Sequence, residues 1–228
     1  MAESQWILPI AAAAACALAY WLVWSHRDMP GRLGAAVKAA STGLLALVLA
    51  RAQAAGGGWF WLMPLGLALG AAGDLFLALR GARMFLAGMA AFGAGHLAYA
   101  AGLMLRTAEI GFDGLSAAEW GALAGLLALV VSTEAWLAPR TGALRGAVRV
   151  YVALIGGMGL AVLLVPQAAG QLQLRVGAAL FILSDFLLAL RLFVVRDPRL
   201  QRMLSLKLWP AYWLGQLVIG WGAVLFWL

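Results

Sequence analysis

Apolar runs of about 20 residues alternate with short polar links along the whole chain: Trp6 to Trp24, Leu33 to Arg51, Trp59 to Leu79, Met84 to Leu105, Ala117 to Leu137, Leu144 to Val165, Gln173 to Val194 and Leu208 to Leu228. In helical conformation about 20 apolar residues cross roughly 30 Å of hydrocarbon. The pattern therefore predicts an all-α, polytopic membrane bundle of eight transmembrane helices. The longest links, Arg106 to Ser116 and Arg196 to Lys207, are too short for a separate core, so one transmembrane domain over residues 1–228 is expected. No basic residue precedes the first run, whereas a signal peptide carries a positive n-region. That run is expected to be a retained helix.

Polar residues inside these runs are few and patterned. Gly73-Asp74-Leu75-Phe76-Leu77-Ala78-Leu79-Arg80 returns as Ser184-Asp185-Phe186-Leu187-Leu188-Ala189-Leu190-Arg191. The phrases fall on the third and seventh predicted helices, which cross in the same direction. A parallel 4 + 4 repeat would produce this, with a site between the halves. Coincidence in a Leu/Ala-rich background would also produce it. Asp74, Asp185 and Lys38 each lie six residues from an arginine at the predicted boundary, which is about 9 Å of helix rise. Tyr151, Tyr212 and Gln216 fall near the same depth, and one cavity shared by all six is expected. Gly66, Gly70 and Asp74 follow a four-residue step that lets helices approach closely. Phe85, Gly88, Phe92, His96 and Tyr99 form a 3, 4, 4, 3 ladder on one helix face, suited to lining a pocket.

Composition agrees with the pattern. Hydrophobic residues make up 65% and charged residues 11% of 228, and mean hydropathy is +0.94, far from the soluble range of about half apolar and a quarter charged. The net charge of +7 is not spread evenly. Twelve of the 16 Lys and Arg follow predicted helices one, three, five and seven: Arg27, Arg32, Arg80, Arg83, Arg140, Arg145, Arg149, Arg191, Arg196, Arg199, Arg202 and Lys207. The positive-inside rule then places both termini outside the cytoplasm. Glu3, Glu109, Asp113 and Glu119 fall on the outer side, and the basic balance needs no nucleic acid to explain it. The expected location is the bacterial inner membrane.

The remaining residues narrow the chemistry. One cysteine, Cys16, permits neither an internal disulfide nor a cysteine metal site. His26 lies at a helix boundary beside Arg27 and Asp28. His96 is the histidine within a span, and neither a cofactor nor a metal site is expected beyond a minor set of His96, Asp74 and Asp185. Trp6, Trp24, Trp59, Trp61, Trp120, Trp136, Trp209 and Trp227 read as interfacial belts, and Gly56-Gly57-Gly58 as a turn. Ionisable groups at hydrocarbon depth mark function by default. Asp74 and Asp185 are the candidate catalytic pair, one acid and one base. Lys38, His96, Tyr99, Tyr151, Ser184, Tyr212 and Gln216 are candidate substrate-binding residues, although interhelical hydrogen bonding accounts for such groups equally well. Phe85, Gly88 and Phe92 are the candidate chain channel. A transporter or lipid-binding protein would use the same polar interior.

Lys38 followed by hydroxyl residues, Gly73-Asp74, Phe85-x-x-Gly88 with Phe92, His96-x-x-Tyr99, Tyr151, Gly177-Ala178 with Phe181, Ser184-Asp185 with Leu188-Ala189 and Phe193, and Tyr212-x-x-x-Gln216 together resemble the YhhN-like lysoplasmalogenase family of membrane proteins. The motifs run from the second predicted helix to the eighth. One departure is Ala39, where the family often has proline. The resemblance implies hydrolysis of the sn-1 vinyl-ether bond of lysoplasmenylethanolamine or lysoplasmenylcholine, giving a fatty aldehyde and glycerophospho-ethanolamine or glycerophosphocholine. The lysophospholipid substrate is then the partner, amid membrane lipids, with no nucleic acid and no obligatory protein partner. Hydrolysis of an enol ether begins with proton transfer to carbon, a task for a neutral carboxylic acid with a second carboxylate nearby.

Overall fold

The computed structural model describes residues 4–27 and 29–227. Glu3, Asp28 and the Leu228 end of the last apolar run lie outside the described residues. Among the described residues the chain is all-helical, with eight long helices and no strand. These are α1 (Ser4–Val23), α2 (Gly31–Gly56), α3 (Leu62–Leu77), α4 (Ala82–Ile110), α5 (Ala117–Trp136), α6 (Arg145–Leu163), α7 (Gln171–Ala189, continued by a π-helical turn over Leu190–Val194) and α8 (Pro198–Trp227). The first seven are long and apolar enough to cross a membrane, and the chain is a multi-pass membrane protein. Helix α8, which carries tryptophans, Pro210, Tyr212 and Gln216 along its length, is of mixed polarity and is not among the seven.

Helix α2 runs five residues past Arg51 to Gly56, and two further boundaries differ from the pattern by five residues or more. Helix α4 runs on to Ile110, and α8 begins at Pro198, so Arg199, Arg202 and Lys207 are helical rather than in a long link. Apolar runs mark hydrocarbon, whereas a helix continues into polar surroundings as long as its backbone hydrogen bonds close. The glycine turn is shorter than expected: Gly57 and Gly58 have φ 61° and 48°, while Gly56 is still the last residue of α2. At the start of α5, Ser116 Oγ accepts from the Glu119 N–H while the Ser116 N–H donates to Glu119, a reciprocal capping box.

Glycines set the closest approaches. An ideal Cβ on Gly177 would lie 2.7 Å from the Ile219 nitrogen and 2.9 Å from the Gly215 oxygen, and one on Gly215 would lie 2.9 Å from the Gly177 oxygen. Helices α7 and α8 therefore touch backbone to backbone. Between α3 and α4 the same device receives side chains: the Tyr99 ring lies over Gly66 and the Phe92 ring over Gly73. Helix α4 packs on α6, and α2 on α8, which closes the ring of helices. Helix α5 stands apart, with none of its residues buried.

The two Asp phrases end differently. Helix α3 stops at Leu77, three residues past Asp74, and Arg80 is exposed beyond it. Helix α7 continues past Asp185 and widens into the π turn that carries Arg191. The six residues from each aspartate to its arginine thus follow different backbone paths. The tryptophans divide as well. Trp59, Trp61 and Trp120 are exposed, but Trp209 and Trp227 are core residues rather than belt. Trp209 donates to the Ala17 carbonyl at 3.0 Å, joining α8 to α1.

Candidate active site

The two aspartates close separate networks. Asp74, 1% exposed in the last turn of α3, pairs through Oδ1 with Lys38 Nζ of α2 at 3.0 Å. Its Oδ2 accepts from Thr42 at 2.9 Å and from Tyr212 of α8 at 2.8 Å. Tyr212 OH accepts a long bond from Gln216 Nε2 at 3.4 Å, and Gln216 Oε1 accepts from Tyr99 OH at 2.6 Å. The Lys38 ammonium also lies 5.8 Å from the Tyr20 ring centre and 5.6 Å from that of Trp209, within cation–π range. Three helices, α2, α3 and α8, meet at this one carboxylate, and α4 joins the network through Tyr99.

The second network joins α4, α6 and α7. Asp185 Oδ2 lies 3.4 Å from His96 Nε2, and its Oδ1 accepts from Tyr151 OH at 3.3 Å. The same histidine nitrogen lies 3.4 Å from Tyr151 OH. On the far side of the ring, Nδ1 lies 3.2 Å from Met158 Sδ, so the fully buried imidazole is held at both edges. Phe181 contacts both networks, its ring centre 4.7 Å from that of His96 and 5.4 Å from that of Tyr212. Among the described residues no three of His, Cys, Asp and Glu converge as a metal site, because Asp74 belongs to the other network.

Cavities follow the same division. An apolar groove of about 100 Å³ between α4, α5, α6 and α7 has Asp185 and Tyr151 in its wall, with Phe85 and Phe92 beside them. A basin of about 120 Å³ is lined by Arg27, Lys38, Arg191, Ser25 and Ser205. The two share Leu77, Phe85, Leu188 and Leu192, so a polar basin adjoins an apolar groove. A third cavity, described below, has Gln216 in its wall. The six residues expected to share one cavity are thus divided: Asp185 and Tyr151 line the groove, Lys38 the basin and Gln216 the third cavity, while Asp74 and Tyr212 line none of these.

Individual residues sort accordingly. Ser184 is buried and donates back to the Phe181 carbonyl at 2.7 Å, a bond within its own helix. Gly88 does not line the groove. A Cβ there would lie 2.7 Å from the Leu77 side chain, so its role is close packing of α4 on α3. Helical spacing put Gly88 on the right face without showing what the face meets. Met158, Thr42 and Arg191 were not among the site candidates; Thr42 carried a signal in following Lys38 on one helix face and Arg191 in closing the second Asp phrase, while Met158 carried none.

Comparison with known proteins agrees with this arrangement. The chain is 30% identical over 220 residues to the Bos taurus protein named lysoplasmalogenase TMEM86A, covering 90% of this chain and 84% of the relative. No solved structure matches. The sequence pattern of the YhhN family matches residues 33–223, from the start of α2 almost to the end of α8. A seven-span helical bundle with an eighth helix of mixed polarity, ionisable residues inside it and this match over most of its length together make the chain a member of the YhhN family.

Proposed function

We propose that the chain is a lysoplasmalogenase-like hydrolase that cleaves the sn-1 vinyl-ether bond of lysoplasmenylethanolamine or lysoplasmenylcholine in a bacterial inner membrane. Similarity to the bovine lysoplasmalogenase supports this reading. The observation that carries it is the junction of basin and groove: a basic, hydroxyl-bearing basin suits a glycerophosphate head, and the adjoining groove suits an alkenyl chain. A bond at that junction lies between the Lys38 and Asp185 networks. All eight helices form one transmembrane domain in this reading, with α8 crossing beside α7 and the basic ends of the helices in the cytoplasm.

The chemistry assigns different work to the two aspartates. Asp185, 11% exposed toward the groove, gives a proton to the alkene carbon remote from oxygen. The C=C electron pair forms the new C–H bond, and the oxygen-bearing carbon becomes an oxocarbenium ion. Water adds there while the Asp185 carboxylate takes its proton. The resulting hemiacetal loses its hydroxyl proton and breaks its C–O bond to glycerol, whose oxygen is protonated as the aldehyde leaves. Tyr151 and His96 hold Asp185 and the positive charge that passes beside it. Asp74 acts as a positioning residue: it fixes the Lys38 ammonium at the basin, where that cation meets the substrate phosphate.

Purified protein incubated with lysoplasmalogen tests the reading. The expected result is aldehyde equal in amount to the released head group. The saturated ether analogue is not cleaved, since it has no alkene to protonate. A transporter or lipid-binding protein would instead retain the lipid unchanged, and that outcome would overturn the proposal.

A further inference from the structure

The third cavity lies between α1, α2 and α8, away from the basin and the groove, and at about 550 Å³ it is the largest of the three described. It falls in the roughly 300–1,000 Å³ range of small-molecule sites. Its walls are almost wholly apolar, Leu45, Leu49 and Leu217 among them, with one polar side chain at each end. Gln216, fully buried, stands at its depth. Arg51 stands where α2 nears its end, about 9 Å of helix rise beyond Leu45. Arg51 is exposed and has no carboxylate or other partner among the described residues. Trp6 and the 57% exposed Trp221 share this end of the cavity, as amphipathic rings do at head-group level.

We propose that this cavity binds one acyl chain of an anionic membrane phospholipid, its phosphate set against Arg51 and its chain reaching toward Gln216. The charge argument selects the occupant. A guanidinium unpaired among the described residues, beside a chain-sized apolar space, complements an anionic head and gives a zwitterionic one no equal preference. The site is distinct from the proposed substrate site, because Gln216 and its partners Tyr99 and Tyr212 stand between this cavity and Asp74. It does not depend on the chain being a hydrolase.

The test is native mass spectrometry of the full chain released from nanodiscs of equal phosphatidylglycerol and phosphatidylcholine. Wild type is expected to retain one lipid at the site, with phosphatidylglycerol enriched roughly fivefold, the weight of one basic residue near a leaflet. Gly220 lines the cavity, and a Cβ there meets only Leu67 and Leu49, at 3.8 and 3.9 Å. Gly220→Phe therefore fills the space and is expected to lose the retained lipid. Arg51→Gln, a change at an exposed side chain that leaves the core intact, is expected to keep a lipid but lose the enrichment. Equal selectivity in wild type and Arg51→Gln would overturn the proposal, as would retention of the lipid by a folded Gly220→Phe. A delipidated chain that takes up palmitate but not phosphatidylglycerol would assign the cavity to free fatty acid instead.

Discussion

Lys38 and Asp74 meet 3.0 Å apart between α2 and α3, the carboxylate 1% exposed and the ammonium side chain 14% exposed. Removing one partner of such a pair strands the other, at about 3–5 kcal/mol. Lys38→Met alone is expected to lower the thermal midpoint sharply in detergent. Combining it with Asp74→Asn is expected to recover most of that loss, since neither charge is then stranded. A double variant no more stable than Lys38→Met would contradict this account of the pair.

The proposed division of labour separates kcat from KM. Asp185→Asn keeps the shape of the side chain but cannot deliver a proton, so kcat is expected to fall at least about 10²-fold. Asp74→Asn frees Lys38 and is expected to act chiefly through KM. Steady-state assays of aldehyde release on folded variants check both. If Asp74→Asn matches Asp185→Asn in kcat with KM unchanged, Asp74 joins the proton chemistry directly.

Proton transfer to carbon leaves a mark in the product. In D₂O the aldehyde is expected to carry one deuterium on the carbon next to the carbonyl, because that carbon receives the proton that breaks the double bond. Mass analysis of aldehyde trapped at short times reads it. Aldehyde with no label above the zero-time control would exclude protonation of the alkene.

The groove predicts a chain-length effect. Ile155 of α6 is in its wall, and Ile155→Trp is expected to reduce turnover of long alkenyl chains more than short ones. Gly88→Phe should behave otherwise: its ring is forced against Leu77, and overpacking of α3 against α4 costs about 1–3 kcal/mol or more. Its loss is expected at every chain length, with a lowered thermal midpoint. A uniform loss in Ile155→Trp would move the chain to another face.

Charge inside apolar runs made Lys38, Asp74, Asp185 and His96 conspicuous in the sequence, and the structure turns all four inward. Which aspartate joins which partner was not legible. That depends on how α2, α4, α6 and α8 are rotated about their axes, and a one-dimensional spacing fixes only the relative face within a helix. Met158 gave no signal because a methionine in an apolar run looks like any other filler. Trp209 misled for a related reason: its place near a helix boundary resembles a belt residue, while its indole is enclosed by Lys38, Tyr20 and Ala17. The eight helices were plain from the alternation of apolar runs with polar links, and seven of them are apolar enough to cross a membrane; the π turn at Arg191 was not legible, since no residue type demands it.

Helix α5 is fastened like a shutter by its two ends. Near its start Glu119 pairs with Arg175 of α7 at 2.5 Å, and near its finish Glu134 pairs with Arg149 of α6 at 2.6 Å. Between these fixings none of its residues is buried, yet Leu126, Leu129 and Val130 form part of the groove wall. Val130 and Leu126 also lie close over Gly156 and Gly159 of α6, so the groove is closed on this side by one helix alone, and a chain lying in it is a single helix away from the surrounding hydrocarbon.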